Sequence, residues 1–229
     1  MEKTTVFNLI ILDESGSMSG VTQQTVSGCN ETLNVIRSLQ NKYGDTQRNL
    51  VSIYLFQSGV EIPSRYLVKN VPISEVKDVT TEQYCPWGAT PLLDAVGSTL
   101  IDLRAVAATH EDSTGMVTII TDGMENSSTH YNWAQVSSLI KELKEKGWTI
   151  NLIGANIDVE EMGRKMEIDN TLAFKADQKG TEEMWNEFGD SVFYGFNARM
   201  EFERSCEAPE DRIEARKKAS AGFFNRKKK

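Results

Sequence analysis

Apolar positions along this chain form two kinds of pattern, short continuous runs and longer stripes at spacings of three and four, and the two kinds alternate. Thr4–Leu12 is a nearly unbroken apolar run, which predicts a central strand covered on both faces. From Val21 to Lys42 the residues Val26, Cys29, Leu33 and Ile36 recur on one face, as in an amphipathic helix. Leu50–Phe56 and Val60–Val68 read as two more strands, joined by Gln57-Ser58-Gly59. So short a link precludes a parallel crossover, so the second of this pair is expected antiparallel at a sheet edge, where Pro63 is tolerated. Asn70–Pro86 is irregular, with a short helix near Ser74–Val79. Leu92, Ala95, Val96, Thr99, Leu100 and Leu103 form the next helical stripe, followed by the strand Met116–Thr121. Asn132–Lys146 is helical and stopped by Gly147, Trp148–Gly154 is a strand, Asp158 caps a helix through Met166, and Thr171–Phe174 is a last strand. Thr181–Met200 carries Trp185, Phe188, Val192, Phe196 and Met200 on one stripe, read as core rather than a cofactor box. The alternation predicts an α/β fold: a doubly wound, mainly parallel six-stranded sheet with one antiparallel edge strand and helices on both faces.

Polar residues break this pattern at three places, each at the carboxyl end of a strand or the start of a helix. Asp13-Glu14-Ser15-Gly16-Ser17 follows the first strand and delivers one carboxylate and two hydroxyls to a turn. Thr90 lies in Gly-Ala-Thr-Pro-Leu before a helix, and Asp122 in Thr-Asp-Gly after a strand. All five are oxygen donors, the ligand type that a hard cation such as Mg²⁺ requires. Each has a plainer use as well: Ser15, Ser17 and Thr90 are good helix caps with Pro91 as a first helical residue, and Asp122 is a common turn residue. Glu14 and Glu125 are expected to face solvent.

In order and spacing, Asp13-x-Ser15-x-Ser17, Thr90 and Asp122 resemble the metal-ion-dependent adhesion site of von Willebrand factor type A domains. The match runs by motif from Thr4 to Asn156. Thr121-Asp122-Gly123-Met124-Glu125-Asn126-Ser127 and Leu152-Ile153-Gly154-Ala155-Asn156-Ile157-Asp158 further resemble a group of cytoplasmic bacterial domains of this type. The resemblance implies strand order 3-2-1-4-5-6. It also implies Asp13, Ser15 and Ser17 as direct metal ligands, Thr90 and Asp122 as direct or water-bridged ones, and one coordination position left to an Asp or Glu of a partner protein. Mg²⁺ is the expected ion, with Mn²⁺ possible in its place and Ca²⁺, which prefers more ligands at longer distance, less suited.

With 229 residues and a net charge of −8, the chain has room for one large domain, assigned to residues 1–200, and its body is unsuited to non-specific nucleic-acid binding. Residues 201–229 are read as a charged, partly disordered extension. Its basic groups Arg216-Lys217-Lys218 and Arg226-Lys227-Lys228-Lys229 are expected to stay solvated, the alternative being that this end, with Phe223 and Phe224, docks on an acidic partner, nucleic acid or a membrane surface. Cys29, Cys85 and Cys206 are widely spaced and outline neither a disulfide framework nor a zinc site, and no stretch reaches a membrane-spanning length, which together point to the cytoplasm. An enzyme is disfavoured. No phosphate-cradling glycine motif is present, and His110 and His130 lie in no nucleophile motif. A Mg²⁺-dependent phosphohydrolase is the runner-up, and a structural subunit with a vestigial metal site the third reading.

Overall fold

A computed structural model describes residues 3–206 and 208–225. β1 (Thr4–Asp13) is buried along nearly its whole length and lies parallel between β2 (Gln47–Phe56) and β4 (Ser113–Thr121). β5 (Thr149–Ala155) and β6 (Asn170–Phe174) continue the parallel sheet beyond β4, and β3 (Arg65–Pro72) closes the other edge antiparallel to β2. The resulting order is β3-β2-β1-β4-β5-β6, so the order that the resemblance implies holds. Order reverses at β1 and β4, and the carboxyl ends of such strands are where sheets of this kind collect ligands.

Alternation along β1 splits the core in two. Val6, Ile10 and Leu12 face a layer with α1 (Thr22–Tyr43) and α5 (Gln178–Glu203). Phe7, Leu9 and Ile11 face α2 (Leu92–Ala107), α3 (Trp133–Glu145) and α4 (Val159–Met166). The stripe Val26, Cys29, Leu33, Ile36 is buried as its spacing requires. So are Trp185, Phe188 and Val192 of α5, which are core as expected. Gly28 is what lets α5 approach α1, because a Cβ there would lie 2.0 Å from the Trp185 ring.

Two segments differ from the sequence reading. β3 begins at Arg65 rather than Val60, and Val60 and Ile62 lie exposed in a loop spanning 57–64. Ser64 closes that loop, its Oγ accepting from Gln57 N–H and donating to Gln57 C=O, so pairing with β2 starts only at Leu55 and Arg65. The second difference is near the carboxyl terminus. Pro209–Ser220 forms α6 and is not simply a solvated charged segment: Arg216 is buried, and Phe223 joins the α1/α5 core layer. Charge patterning misled because Arg216 finds partners far away in sequence, in Asp112 and Glu203. The basic run 226–229 lies outside the described residues.

Candidate metal centre

Asp13 ends β1 beside Phe56, fully buried. Its carboxylate is held at both oxygens. Oδ1 accepts from the Ser15 N–H at 2.7 Å, and Oδ2 accepts from the Thr121 hydroxyl at 2.5 Å. Its carbonyl accepts from the buried Tyr84 hydroxyl at 2.6 Å. The chain then enters a short 3-10 turn, Gly16–Val21, whose first residue is preceded by Ser15, but the Ser15 hydroxyl makes no capping bond. It lies instead 3.1 Å from the Ser17 hydroxyl. That separation matches the roughly 3 Å edge of an octahedron of oxygens about 2.1 Å from a central ion. Ser17 in turn donates to Asp122 Oδ1 at 2.5 Å, across 105 positions of sequence. Asp13, Ser15, Thr90 and Asp122 are buried while Ser17 is exposed, so the cluster opens to solvent on the Ser17 side.

Thr90 arrives from the segment before α2. Its N–H donates to Asn126 Oδ1 at 2.9 Å and its C=O accepts from Asn126 N–H at 3.2 Å, which ties it to the loop after β4. Gly123, immediately after Asp122 in the chain, packs close to Thr90: a Cβ there would lie 2.9 Å from Thr90 Oγ1. Thr90 is not the helix cap that its sequence context suggests. The cap position falls on Pro91, which offers no side-chain bond, and the first turn of α2 is served by Glu125, whose Oε2 accepts from Leu93 N–H at 2.8 Å. The Thr90 hydroxyl lies beside Gly123, the residue that follows Asp122.

The expectation that Glu14 and Glu125 face solvent is overturned. Glu14 is fully buried and takes a bidentate pair from Arg65 at 2.6 and 3.0 Å, with further bonds from Gln57 and the Cys85 N–H. Glu125 also accepts from Ser127 N–H, Ser128 N–H and the Ser128 hydroxyl, which folds the loop after β4 into shape. Both acids act as braces behind the cluster. With Thr121, Tyr84 and Asn126 they are the residues that sequence reasoning missed, since nothing in local periodicity marks a polar residue whose partner lies 30 or more positions away.

The electrostatics separate the braces from the cluster. Burial pushes the Asp13 carboxyl up to about 6, against the hydrogen bonds from Thr121 and Ser15, and nearby Asp122 adds to the rise. Burial raises Asp122 as well. Neither acid forms an ion pair with a lysine or arginine among the described residues, whereas Glu14 has Arg65. Two nearby carboxylates among neutral hydroxyls are costly to bury without a counter-charge. One divalent cation cancels both, and a donor set made only of oxygen suits Mg²⁺ or Mn²⁺. By donor chemistry the residues fit such an ion.

A scan against protein-family models finds no match, nor does a search of curated proteins. Solved structures do match. The pilus adhesin SpaC from Lactobacillus rhamnosus GG aligns at a TM-score of 0.59 and 16% identity, over 86% of this chain and 31% of that one. A von Willebrand factor type A protein from Catenulispora acidiphila aligns at 0.56 and 14%, over 83% of this chain and 43% of that one. Proximal thread matrix protein 1 from the mussel byssus, in a form with a zinc-occupied MIDAS motif, aligns at 0.52 and 13%, over 83% and 46%. This chain thus spans less than half the length of each. What is shared is the fold, the α/β architecture of von Willebrand factor type A domains.

Proposed function

We propose that this chain, whose fold is that of von Willebrand factor type A domains, is a metal-dependent protein-interaction module. Asp13, Ser15 and Ser17 bind a divalent cation directly, Thr90 and Asp122 bind it directly or through water, and one position is left for an Asp or Glu side chain of a partner protein. Mg²⁺ is the proposed ion, with Mn²⁺ able to replace it. The single observation that carries this reading is the meeting of two buried, uncompensated carboxylates from the ends of β1 and β4 with the Ser15 and Ser17 hydroxyls. When bound, the ion supplies a positive charge on an acidic protein that would otherwise repel an incoming carboxylate. The chain's own residues fix the geometry: Thr121 and Ser15 lock the Asp13 carboxylate, Tyr84 holds its backbone, and Asn126 sets the height of Thr90. The zinc-occupied site of the mussel protein supports a divalent ion at such a cluster.

The histidine positions favour binding over hydrolysis. His110 packs edge-on against Phe7 at the amino end of the sheet, and His130 is engaged with Asp94, so neither is placed beside Asp13 as a general base. Three cysteines without a disulfide among the described residues support a cytoplasmic location as part of the same reading. Among the described residues no helix is long and apolar enough to cross a membrane.

The test is a thermal-unfolding titration with Mg²⁺ and Mn²⁺ against chelator. A saturable rise in Tm supports the module, and its absence sinks both the metal assignment and the phosphohydrolase alternative. Metal-dependent turnover of a generic phosphoester, abolished by Asp13→Ala, would instead favour the enzyme.

A further inference from the structure

Ile101 on α2 and Phe193 on α5 are exposed at 37%, but the most exposed apolar residues among the described ones are gathered together. The three most exposed large ones among the described residues are Val60 at 98%, Trp87 at 72% and Met124 at 66%, and each lies on a different loop beside the metal centre. Ile62 shares the Val60 loop. The loops are joined to one another. Ser58 N–H donates to Ala89 C=O at 3.2 Å and Ala89 N–H donates to Ser58 Oγ at 2.7 Å, and a Cβ on Gly59 would approach the Trp87 ring within 3.2 Å. Trp87 N–H donates to Glu14 C=O at 2.9 Å, one residue from Asp13. Met124 follows Gly123, which abuts Thr90. An indole left in water on a rigid, hydrogen-bonded loop marks a surface that something covers.

The charges on the same face narrow what covers it. Residues 14–21, 57–64, 84–91, 122–132 and 156–158 contain no lysine or arginine. Arg65, just beyond, is taken up by Glu14, and the next basic residue on this side, Lys175, follows β6 at the edge of the sheet. Glu61 adds an exposed acid to the rim. A partner rich in acids would therefore meet a single point of positive charge, the ion, inside an otherwise negative and apolar surround.

Resting on the metal-dependent module proposed above, we infer that the partner segment presents one Asp or Glu between large apolar side chains, and docks those side chains on Trp87, Val60 and Met124. The carboxylate supplies the metal contact and the apolar neighbours supply most of the selectivity.

The experiment is an NMR titration of the full chain in excess Mg²⁺ with three synthetic peptides. The first has a single Asp flanked by Leu and Phe, the second a single Asp flanked by Ser, and the third a run of Asp. The apolar-flanked peptide is expected to bind about tenfold more tightly than the other two, the scale on which a buried aromatic anchor acts. The combined variant Val60→Ser, Trp87→Ser, Met124→Ser should lose that preference while its Mg²⁺-induced rise in Tm stays that of wild type. Equal binding of the three peptides, preference for the Asp run, no binding by any, or a preference that survives in the variant overturns the inference. If wild type shows no Mg²⁺ response at all, the module itself fails, and that outcome is distinct from failure of the apolar rim.

Discussion

Arg216 at the amino end of the sheet and Asp13 at its carboxyl end are both ionisable groups withdrawn from water, yet one is surrounded by opposite charge and the other is not. Arg216 is 4% exposed and bonds Glu203 and Asp112, each at 2.8 Å, as well as the Ser113 carbonyl. Burial works against its charge, but Glu203 and Asp112 outweigh that and hold the guanidinium above its ordinary value. Arg212 and the Thr4 hydroxyl complete the shell around Asp112. Around Arg216 this cluster is closed, the guanidinium charge being answered from within the chain. At the other end, Asp13 and Asp122 meet only hydroxyls and backbone amides and are both raised by burial. Where Arg216 has opposite charges beside it, Asp13 and Asp122 pair with no lysine or arginine among the described residues, and a bound cation would supply the opposite charge. Glu14 sharpens the contrast: one residue from Asp13 and equally buried, it has its arginine and so belongs with the closed kind.

The largest expected effect breaks the closed cluster. Arg216→Met removes the buried cation that bridges Glu203 and Asp112, leaving only Arg199 and Arg212 at their edges, and should cost about 3 kcal/mol in denaturant unfolding, equally with Mg²⁺ and with chelator. A metal-dependent cost would merge the two clusters and undo the comparison. Next is the open site. Asp13→Asn should abolish the Mg²⁺-linked gain, which for wild type is about 2.7 kcal/mol at a hundred times Kd. In chelator the same variant should be no less stable than wild type, because it removes a buried charge that faces Asp122; a large loss there would mean that Asp13 is structural. Glu125→Gln comes third, at about 1 kcal/mol, since it weakens charge-assisted bonds to the first turn of α2 without touching the cluster directly. Its Mg²⁺ response should be weakened but present.

The smallest effect is a dependence on acid. Burial alone would raise Asp112, but Thr4, Arg216 and Arg212 together hold it below its ordinary value. Its stabilisation is therefore present above the usual carboxylate pKa of about 4 and is lost as pH falls through the lowered folded value. Asp112→Asn should flatten the acid limb of a stability-against-pH curve and leave the neutral region with a constant offset.

Much of the site was legible in the sequence because its donors follow strands that are themselves conspicuous. The run ending at Leu12 and the run ending at Thr121 place Asp13 and Asp122 at strand ends before any coordinates are consulted, and β1 and β4 prove to be adjacent and parallel. The edge was less legible. Val60 and Ile62 mimic a strand, yet they stand in water on the loop that borders the candidate metal centre. Alternation detects apolar side chains that a sheet can use and is blind to whether the sheet or an outside partner uses them.

The sequence by itself determined the doubly wound sheet, its antiparallel edge, the two-sided burial of β1 and the list of five oxygen donors, because these depend on periodicity and on residue type within a few positions. Only the tertiary structure decided that Glu14 and Glu125 are braces, that Thr121 and Tyr84 hold Asp13, and that Arg216 is buried rather than solvated. The physical reason is the same in each case. A polar side chain is defined by its partner, and here the partners lie on other elements, brought within hydrogen-bond reach only by the folded sheet.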